Sequence, residues 1–244
     1  MSSQSEPTDS IFELRRYTTH PGRRDDLIAL FEDQLIEGQE EGGMRLIGQF
    51  RDAGDPEQFV WMRDFADMES RRAALQSFYG GPIWARHRDA ANATMIDSSN
   101  VLLLRPARPG SGLRVDPARR PARAAAEVDG GVVLAAIRWL EAPAGAADVE
   151  RLEADVMGPI GAAGAVHLAS YVTESSANTF PRLPVREGEH VSLVLASAAA
   201  PAAQAVHRAV LELRASPPAG SIEVLELHPA RRSLLRHPAP PLAR

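Results

Sequence analysis

The stretches that decide the fold are residues 11–22, IFELRRYTTHPG, and residues 132–143, VVLAAIRWLEAP. Each is rich in residues with high strand propensity, and each ends at a proline, which stops a strand. Tyr17 in the first stretch and Trp139 in the second occupy the same place, 122 residues apart, and a proline follows each of them four residues later. The sequence therefore predicts that one structural plan occurs twice in the chain.

Around the first stretch, the apolar pattern predicts the order strand, helix, strand, strand, helix, strand. The first helix has an apolar stripe of Leu27, Phe31 and Leu35 and stops at Gly42-Gly43. The β-α-β-β-α-β order is the ferredoxin-like plan. The predicted elements are strand 11–18, helix 23–42, strands 44–51 and 58–65, helix 67–79 with a further helical segment carrying Trp84, and strand 101–105.

The second stretch opens the same series, with a longer loop over residues 174–189 between its second and third strands. The predicted elements are strand 132–140, helix 146–156, strands 165–173 and 191–198, a helix over 203–213, and strand 222–227. The domain organisation that follows is a disordered N-terminus over 1–10, a domain over 11–106, a Pro-, Gly- and Arg-rich linker over 107–130, a second domain over 131–229 and a tail over 230–244.

A single sheet of this plan carries helices on one face, so its bare face needs a second sheet to close against. We therefore predict an α+β fold of two tandem ferredoxin-like repeats whose sheets pack as a dimeric α+β barrel. Its lumen would hold a small ligand. An arrangement in which each half pairs with a second copy of the chain, as a homodimer, fits the same sequence.

Composition narrows the classes of function. The formal net charge is −5 and no dense basic run with interleaved aromatic residues occurs, so nucleic acid is not an expected partner. There is no cysteine, which excludes disulfides and thiolate chemistry. The histidines do not have the close spacing of metal ligands. No apolar run approaches the ~20 residues of a membrane span. We expect a cytoplasmic protein with no bound metal and no membrane partner.

Polar side chains alternate along the first predicted strand, so that Glu13, Arg15 and Tyr17 share one face. Arg63, on the third predicted strand, adds a second cation. If this face lines the lumen, these four residues are the candidate catalytic residues, for proton transfer and for holding an anionic or enolic oxygen. The alternative is a buried ion pair that fixes the geometry of the sheet.

Aromatic residues and one histidine supply candidate substrate contacts. Trp61 and Phe65 alternate with Arg63 and would form a stacking wall. His167 and Tyr171 lie four residues apart and are expected to enter the lumen from one strand face. The candidate substrate-binding residues are Trp61, Phe65, Phe50, Trp84, His167 and Tyr171.

The second half lacks the polar set. At the offset of 122 residues, Ala135, Ile137 and Trp139 stand where the first half has its carboxylate, guanidinium and phenol. This asymmetry predicts one pocket, served mainly by the first half, with the second half as its apolar lid.

The same residues resemble a known family. The segments similar to the NIPSNAP family are Phe12–Tyr17 with Pro21-Gly22, Gln58–Phe65, Ser70-Arg71-Arg72, Pro82 with Trp84, and Asn100–Pro106. The resemblance is clear over residues 11–106, whereas residues 131–229 are similar only in plan, as a diverged second copy. It implies the ferredoxin-like fold in dimeric α+β barrel form, but no single established reaction.

The wider superfamily includes cofactor-free monooxygenases, haem proteins and small-molecule lyases or cyclases. Many relatives have His, Trp and Tyr at alternate positions of the third strand, where this chain has Trp61, Arg63 and Phe65, so no histidine role carries over. We expect an enzyme acting on a small organic molecule as a cofactor-free oxygenase, cyclase or lyase, with haem left open. A non-catalytic ligand-binding or scaffold protein is the alternative.

Overall fold

The computed structural model describes residues 10–127, 130–216 and 222–237. Its strands are β1 Ile11–Thr19, β2 Arg45–Asp52, β3 Gln58–Phe65, β4 Met95–Pro106, β5 Val132–Leu140, β6 Val166–Thr173, β7 His190–Ala198 and β8 Ile222–Pro229. Apart from Ser10, the N-terminus predicted to be disordered lies outside the described residues. The predicted order of elements is confirmed, because β-α-β-β-α-β occurs in each half.

The helices are α1 Arg24–Leu30, α2 Ile36–Glu41, α3 Met68–Tyr79, α4 Pro82–Asn92, α5 Ala146–Ala162 and α6 Ala200–Ala215. The first predicted helix is interrupted, since a π-helical turn over Phe31–Leu35 separates α1 from α2. A short 3-10 turn covers Pro117–Arg119. None of the helices within the described ranges has both the length and the apolar character needed to cross a membrane.

The strands form one closed antiparallel barrel in the order β1-β3-β2-β8-β5-β7-β6-β4. Two seams join the halves: β2 pairs with β8, where Phe50 faces Pro229, and β4 pairs with β6, where Leu104 faces Thr173. The barrel therefore closes within one chain, which decides between the two arrangements that the sequence left open.

The barrel interior is filled with side chains, so the expectation of a ligand-holding lumen is wrong. Every strand contributes buried apolar residues to one cluster that packs at its centre. Within it the rings of Phe12 and Tyr171 stack at 4.4 Å between centroids. The interior residues are Phe12, Leu14, Ile47, Phe50, Val60, Met62, Leu102, Leu104, Val133, Ala135, Ile137, Ala169, Tyr171, Val191, Leu193, Leu195, Leu225 and Leu227.

Helices cover the outer faces of the barrel. Those of the first half, α1 to α4, pack on a face rich in aromatic residues, including Phe59, Trp61 and Phe65. The helices α5 and α6 pack on a face made of aliphatic residues, among them Leu134 and Val194. The two outer faces differ in chemistry although the order of elements beneath them is the same.

The structure corrects the alignment of the two halves by one residue in the first strand. Glu13, Arg15 and Tyr17 lie on the outer face of β1, whereas Ala135 and Ile137 point into the barrel. Because a shift of one residue moves a strand's side chains to the opposite face, the β5 residues on the matching face lie one residue earlier than the predicted counterparts. They are Leu134, Ala136 and Arg138, on the outer face of β5. The carboxylate and the phenol are still missing from the second half.

The segment predicted as a linker and the start of the predicted tail both lie against the barrel. The Ser111 hydroxyl donates to the Ser170 carbonyl oxygen at 2.9 Å. The Arg120 guanidinium donates to the carbonyl oxygen of Arg232 at 2.9 Å, and the Arg232 guanidinium donates to Glu37 at 2.6 Å. These contacts join the two segments to β6, to each other and to α2.

Replacing Ala135 by Leu should lower the free energy of unfolding by about 1–3 kcal/mol, because a filled interior has no room for extra methyl groups. The matched control is Ala90→Leu on the exposed face of α4, which should change it by less than about 0.5 kcal/mol. Urea denaturation measures both. An Ala135→Leu variant as stable as the wild type would show that the barrel interior has open volume.

Candidate functional site

A cavity of about 240 Å3 lies between the sheet of the first half and its helices. Its walls combine apolar and aromatic side chains with a smaller share of polar groups, which is the usual character of a small-molecule site. For scale, an apolar cavity of about 150 Å3 is enough to bind benzene. The lining residues are Tyr17, Leu27, Phe31, Leu35, Gln39, Phe59, Trp61, Phe78, Tyr79, Trp84, Ala91, Asn92, Met95, Ser98, Phe180, Arg182, Leu183 and Pro184.

The local structure of three segments brings aromatic rings to this cavity. The π-helical turn places Phe31 against Trp61, with ring centroids 4.9 Å apart; such turns inside α-helices are frequent at functional sites. The end of α3 and the start of α4 bring Tyr79 and Trp84 together at 5.0 Å. From β1, the Tyr17 ring meets Trp61 edge-on at 5.8 Å.

A loop from the second half caps the cavity. This is the long connection between β6 and β7, and it contributes Phe180, whose ring stacks on Tyr79 at 5.9 Å. Asn178 holds the loop in place: its side-chain oxygen accepts from the Phe180 backbone N–H at 3.1 Å, and its amide donates to the Leu183 carbonyl oxygen at 3.0 Å. The second half therefore covers the pocket with a loop, while its sheet packs elsewhere.

Behind the cavity wall lies a buried cluster of one carboxylate and three guanidiniums. Glu13 accepts from Arg15 at 2.8 Å, from Arg63 at 2.7 Å and from Arg71 at 2.6 Å. All four side chains are fully shielded from solvent. The Arg71 guanidinium also donates to the Asn178 side chain at 3.0 Å, which connects the cluster to the capping loop.

Two lining residues connect this cluster to the cavity. The Tyr17 hydroxyl oxygen accepts from Arg15 Nε at 2.8 Å. The Gln39 side-chain oxygen accepts from Arg63 at 3.1 Å. Tyr17 and Gln39 line the cavity, whereas Glu13 and the three arginines lie one layer behind it.

The electrostatics of the cluster keep Glu13 ionised and Tyr17 protonated. Burial alone would disfavour the Glu13 carboxylate, but the guanidiniums of Arg63, Arg15 and Arg71 outweigh it and hold the pKa of Glu13 well below its usual range. Burial raises the pKa of Tyr17, and the adjacent Arg15 guanidinium offsets this only in part. At neutral pH the phenol is thus a proton donor.

The structure separates the residues that the sequence assigned to one site. Tyr17, Trp61 and Trp84 line the cavity, and Glu13, Arg15 and Arg63 lie directly behind it. Phe65 lies on the same outer face, beneath the Arg63 guanidinium at 5.3 Å, but is not part of the lining. Phe50 and Tyr171 belong to the barrel interior.

His167 does not share a face with Tyr171, and the reason is a β-bulge. The register of β6 against β7 shifts between His167 and Ala169, so two successive residues oppose one partner. The bulge moves His167 to the outer face, where its ring lies 2.9 Å from the Ser170 hydroxyl and 3.8 Å from Glu153. Period-two alternation predicts the wrong face beyond a bulge.

Sequence reasoning missed Arg71, Asn178 and the capping residue Phe180 as parts of the site. Arg71 belongs to the Ser70-Arg71-Arg72 triplet that carried the family resemblance, which is a signal for its importance but not for its role. The unusual length of the loop between β6 and β7 was the available signal for the other two.

The described lining of the cavity offers few ligands for haem or a metal ion. No histidine is among the described residues that line it, and haem iron requires an axial ligand such as histidine, cysteinate, methionine or tyrosinate. Met95 is on the wall, and Tyr17 is held protonated by burial. Over the described ranges, no group of three or more His, Asp or Glu side chains is arranged for a metal.

Comparison with known proteins gives a family match for the first half. Residues 12–109 match the model of the NIPSNAP family. No curated protein matches the chain. Among solved structures, a NIPSNAP family protein from Agrobacterium tumefaciens is 21% identical, covering 40% of this chain and 86% of its own, with a TM-score of 0.38.

Two further solved structures are similar to this chain. A NIPSNAP-like domain protein from Burkholderia xenovorans is 23% identical over 39% of this chain and 82% of its own, with a TM-score of 0.35. An anthrone oxidase-like protein is 14% identical over 92% of this chain and 93% of its own, with a TM-score of 0.47.

Replacing Glu13 by Gln should destabilise the protein by about 3–5 kcal/mol at pH 7, because it leaves three buried guanidiniums without their shared anion. The pKa of Glu13 is depressed in the folded state. The stabilisation that Glu13 provides is therefore complete at a pH above 4.5, the ordinary pKa of a glutamate. It is lost progressively as the pH falls below that value. Thermal unfolding of the wild type and of Glu13→Gln between pH 7 and pH 3 measures this difference, which should shrink in acid.

The matched control is Glu69→Gln, since Glu69 is paired with Arg72 on the exposed surface of α3. Its melting temperature should equal that of the wild type. If the melting temperature of Glu13→Gln equals that of the wild type at pH 7, the cluster does not stabilise the protein as predicted.

Proposed function

Because residues 12–109 match the NIPSNAP family model and build a cavity walled by aromatic rings, we propose that the protein binds a compact, partly apolar organic molecule there and acts on it as an enzyme. Tyr17 is the catalytic residue of this proposal. The observation that carries it is that Tyr17 lines the cavity while its hydroxyl oxygen accepts a hydrogen bond from Arg15 Nε at 2.8 Å.

The hydrogen bonding of Tyr17 supports a role as acid. A phenol has one proton to donate and can accept through its oxygen. Since Arg15 donates to that oxygen, the hydroxyl proton is left for a group in the cavity. A carbonyl or enol oxygen of the ligand is a suitable acceptor, and it would gain a proton or a strong hydrogen bond as charge develops on it.

The cluster behind Tyr17 provides electrostatic support. A ligand oxygen bonded to the phenol would lie about 5 Å from the Arg15 guanidinium, where Coulomb's law gives about 3 kcal/mol at an effective dielectric constant of about 20. A stabilisation of that size, applied only in the transition state, accelerates a reaction by about a hundredfold. Glu13 and Arg63 serve as positioning residues, because they orient Arg15 and the wall without reaching the cavity.

This chemistry is common to the reactions expected of the chain. For a carbonyl substrate, cofactor-free oxygenation, cyclisation and lyase cleavage can each proceed through an enolate-like state whose oxygen needs a donor. Trp61 and Trp84 would hold a flat ligand by stacking. The protein is proposed to act on a conjugated molecule of roughly one substituted ring, the size set by the volume of the cavity.

We also infer that the two halves are copies of one ferredoxin-like unit. Each half has its strands in the order fourth, first, third, second within the barrel. In the second copy the places of Trp61, Arg63 and Phe65 are taken by Val194, Ala196 and Ala198, and small aliphatic residues fill the space beneath the helices. The first copy keeps the pocket, and the second completes the barrel and supplies the capping loop.

The second candidate function is that of a non-catalytic binding protein. The hydrogen bonding of Glu13 favours it, because no carboxylate oxygen is left without a guanidinium partner. Both carboxylate oxygens are engaged by guanidiniums, and the whole cluster is shielded from solvent. Such a cluster holds β1, β3 and α3 together whether or not chemistry occurs in front of it.

The first experiment is native mass spectrometry of the purified protein, followed by a thermal-shift screen against neutral and acidic aromatic and polyketide-like compounds. A ligand that binds the folded state raises the melting temperature. A protein that carries no bound molecule and responds to none of the panel would contradict the small-molecule proposal.

For a compound that binds and is turned over, Tyr17→Phe should lower kcat by about 100-fold to 10000-fold, because the proton donor is removed while the ring remains. The control is Tyr171→Phe, the same chemical change within the barrel interior, where the hydroxyl accepts from the Leu113 backbone N–H at 2.7 Å. It should lower stability and leave kcat unchanged. Equal kcat in the wild type and Tyr17→Phe would favour the non-catalytic alternative.

A further inference from the structure

We infer that the ligand is an anion, an aromatic or conjugated molecule whose carboxylate or acidic enol oxygen is held at Tyr17 in front of the arginine cluster. This inference rests on the proposed small-molecule cavity and adds to it the charge of the ligand and the end of the cavity at which that charge lies.

The buried cluster has too little negative charge of its own. One carboxylate, Glu13, serves three guanidiniums, which leaves an excess of two positive charges. A terminal nitrogen, Nη2, of each of Arg15, Arg63 and Arg71 has no hydrogen-bond partner, although every one is shielded from solvent. Buried guanidiniums without sufficient counter-charge are expensive, so a resident anion near them is favoured.

The wall of the cavity is also positively charged. None of its described lining residues is acidic, and the charged one among them is Arg182, on the capping loop. The Arg182 side chain is exposed and makes no ion pair among the described residues. A carboxylate entering the cavity therefore meets positive charge at the capping loop and behind the wall, and no opposing carboxylate on the way.

Tyr17 marks the place where the anion binds. Its hydroxyl accepts from Arg15 Nε at 2.8 Å, and none of the described residues accepts its proton, so an oxygen of a ligand in the cavity is a suitable acceptor. An anionic oxygen there receives the phenol proton in a charge-assisted hydrogen bond and lies one hydrogen bond away from the guanidinium. Gln39 makes a parallel connection, from the wall to Arg63 at 3.1 Å.

The rest of the cavity selects what is attached to the anion. Aromatic rings from Phe31, Trp61 and Trp84 surround the space, and flat conjugated molecules fit between such rings better than branched aliphatic ones. The indole N–H of Trp61 has no partner either, so a second ligand oxygen has an available donor after a small movement of the ring.

Binding of isosteric probe pairs to the full chain tests the inference. Benzoate and benzamide have nearly the same shape and differ in charge at pH 7, as do cinnamate and cinnamamide. Quenching of tryptophan fluorescence and isothermal titration calorimetry measure the affinities. Each acid should bind at least about tenfold more tightly than its amide, a difference that corresponds to about 1.4 kcal/mol.

Two variants locate the anion. Tyr17→Phe should weaken binding of the acid about tenfold or more and that of the amide by less than about threefold, which reduces the preference. Tyr171→Phe, in the barrel interior, should leave both affinities unchanged. The comparison of acid with amide in the wild-type protein stands even where a variant fails to fold.

The outcomes separate this inference from the proposal beneath it. Equal affinities for acid and amide would overturn the anion inference and leave the cavity in place. A preference for the acid that is unaffected in a folded Tyr17→Phe protein would show that the anion lies elsewhere, which also overturns it. Failure of every probe to bind would overturn both the anion inference and the small-molecule proposal.

Discussion

The carboxylate of Glu13, shared by three buried guanidiniums, is the interaction on which the first half depends. Arg15 comes from the same strand, Arg63 from the neighbouring strand β3 and Arg71 from α3. One anion thus fixes a sheet and the helix above it, at a distance that leaves room for a cavity between them. Through Arg71 the same network reaches Asn178 and the loop that caps the cavity. Because charged groups without solvent tolerate little displacement, the geometry of the wall is set by electrostatics as much as by packing.

The closed barrel gives this network a rigid base. A barrel has no free sheet edge, and its filled interior resists changes in volume. The cavity, and with it the proposed function, therefore lies on the outer face of the sheet, beneath the helices. The two halves differ on that face: the first half has aromatic and charged residues there, and the second has small aliphatic residues. What the second half contributes to the pocket is the capping loop.

Much of this could be predicted from the sequence. The order of strands and helices follows from local periodicity, and the alternation along β1 correctly places Glu13, Arg15 and Tyr17 on one face. The family resemblance over residues 11–106 agrees with the family match at residues 12–109. Alternation does not say which face points inward, however, so the polar set was predicted for the lumen and lies outside it. The bulge at His167 and the slip of one residue in aligning β5 with β1 had the same effect, since either one exchanges the two faces of a strand.

The elements, their order in each half and the residue types available for chemistry follow from local periodicity and propensity, so they could be predicted from the amino-acid sequence. That the barrel closes within one chain, that its centre is solid and that the cavity lies beneath the first-half helices emerged only from the folded chain. Those outcomes depend on how side chains from distant segments share a limited volume. Phe50 and Tyr171, from different halves, fill the centre, and Phe180 caps a pocket built by residues far from it in the chain. How side chains fill the interior depends on the assembled sheet and helices, so it cannot be predicted from the sequence of a single strand.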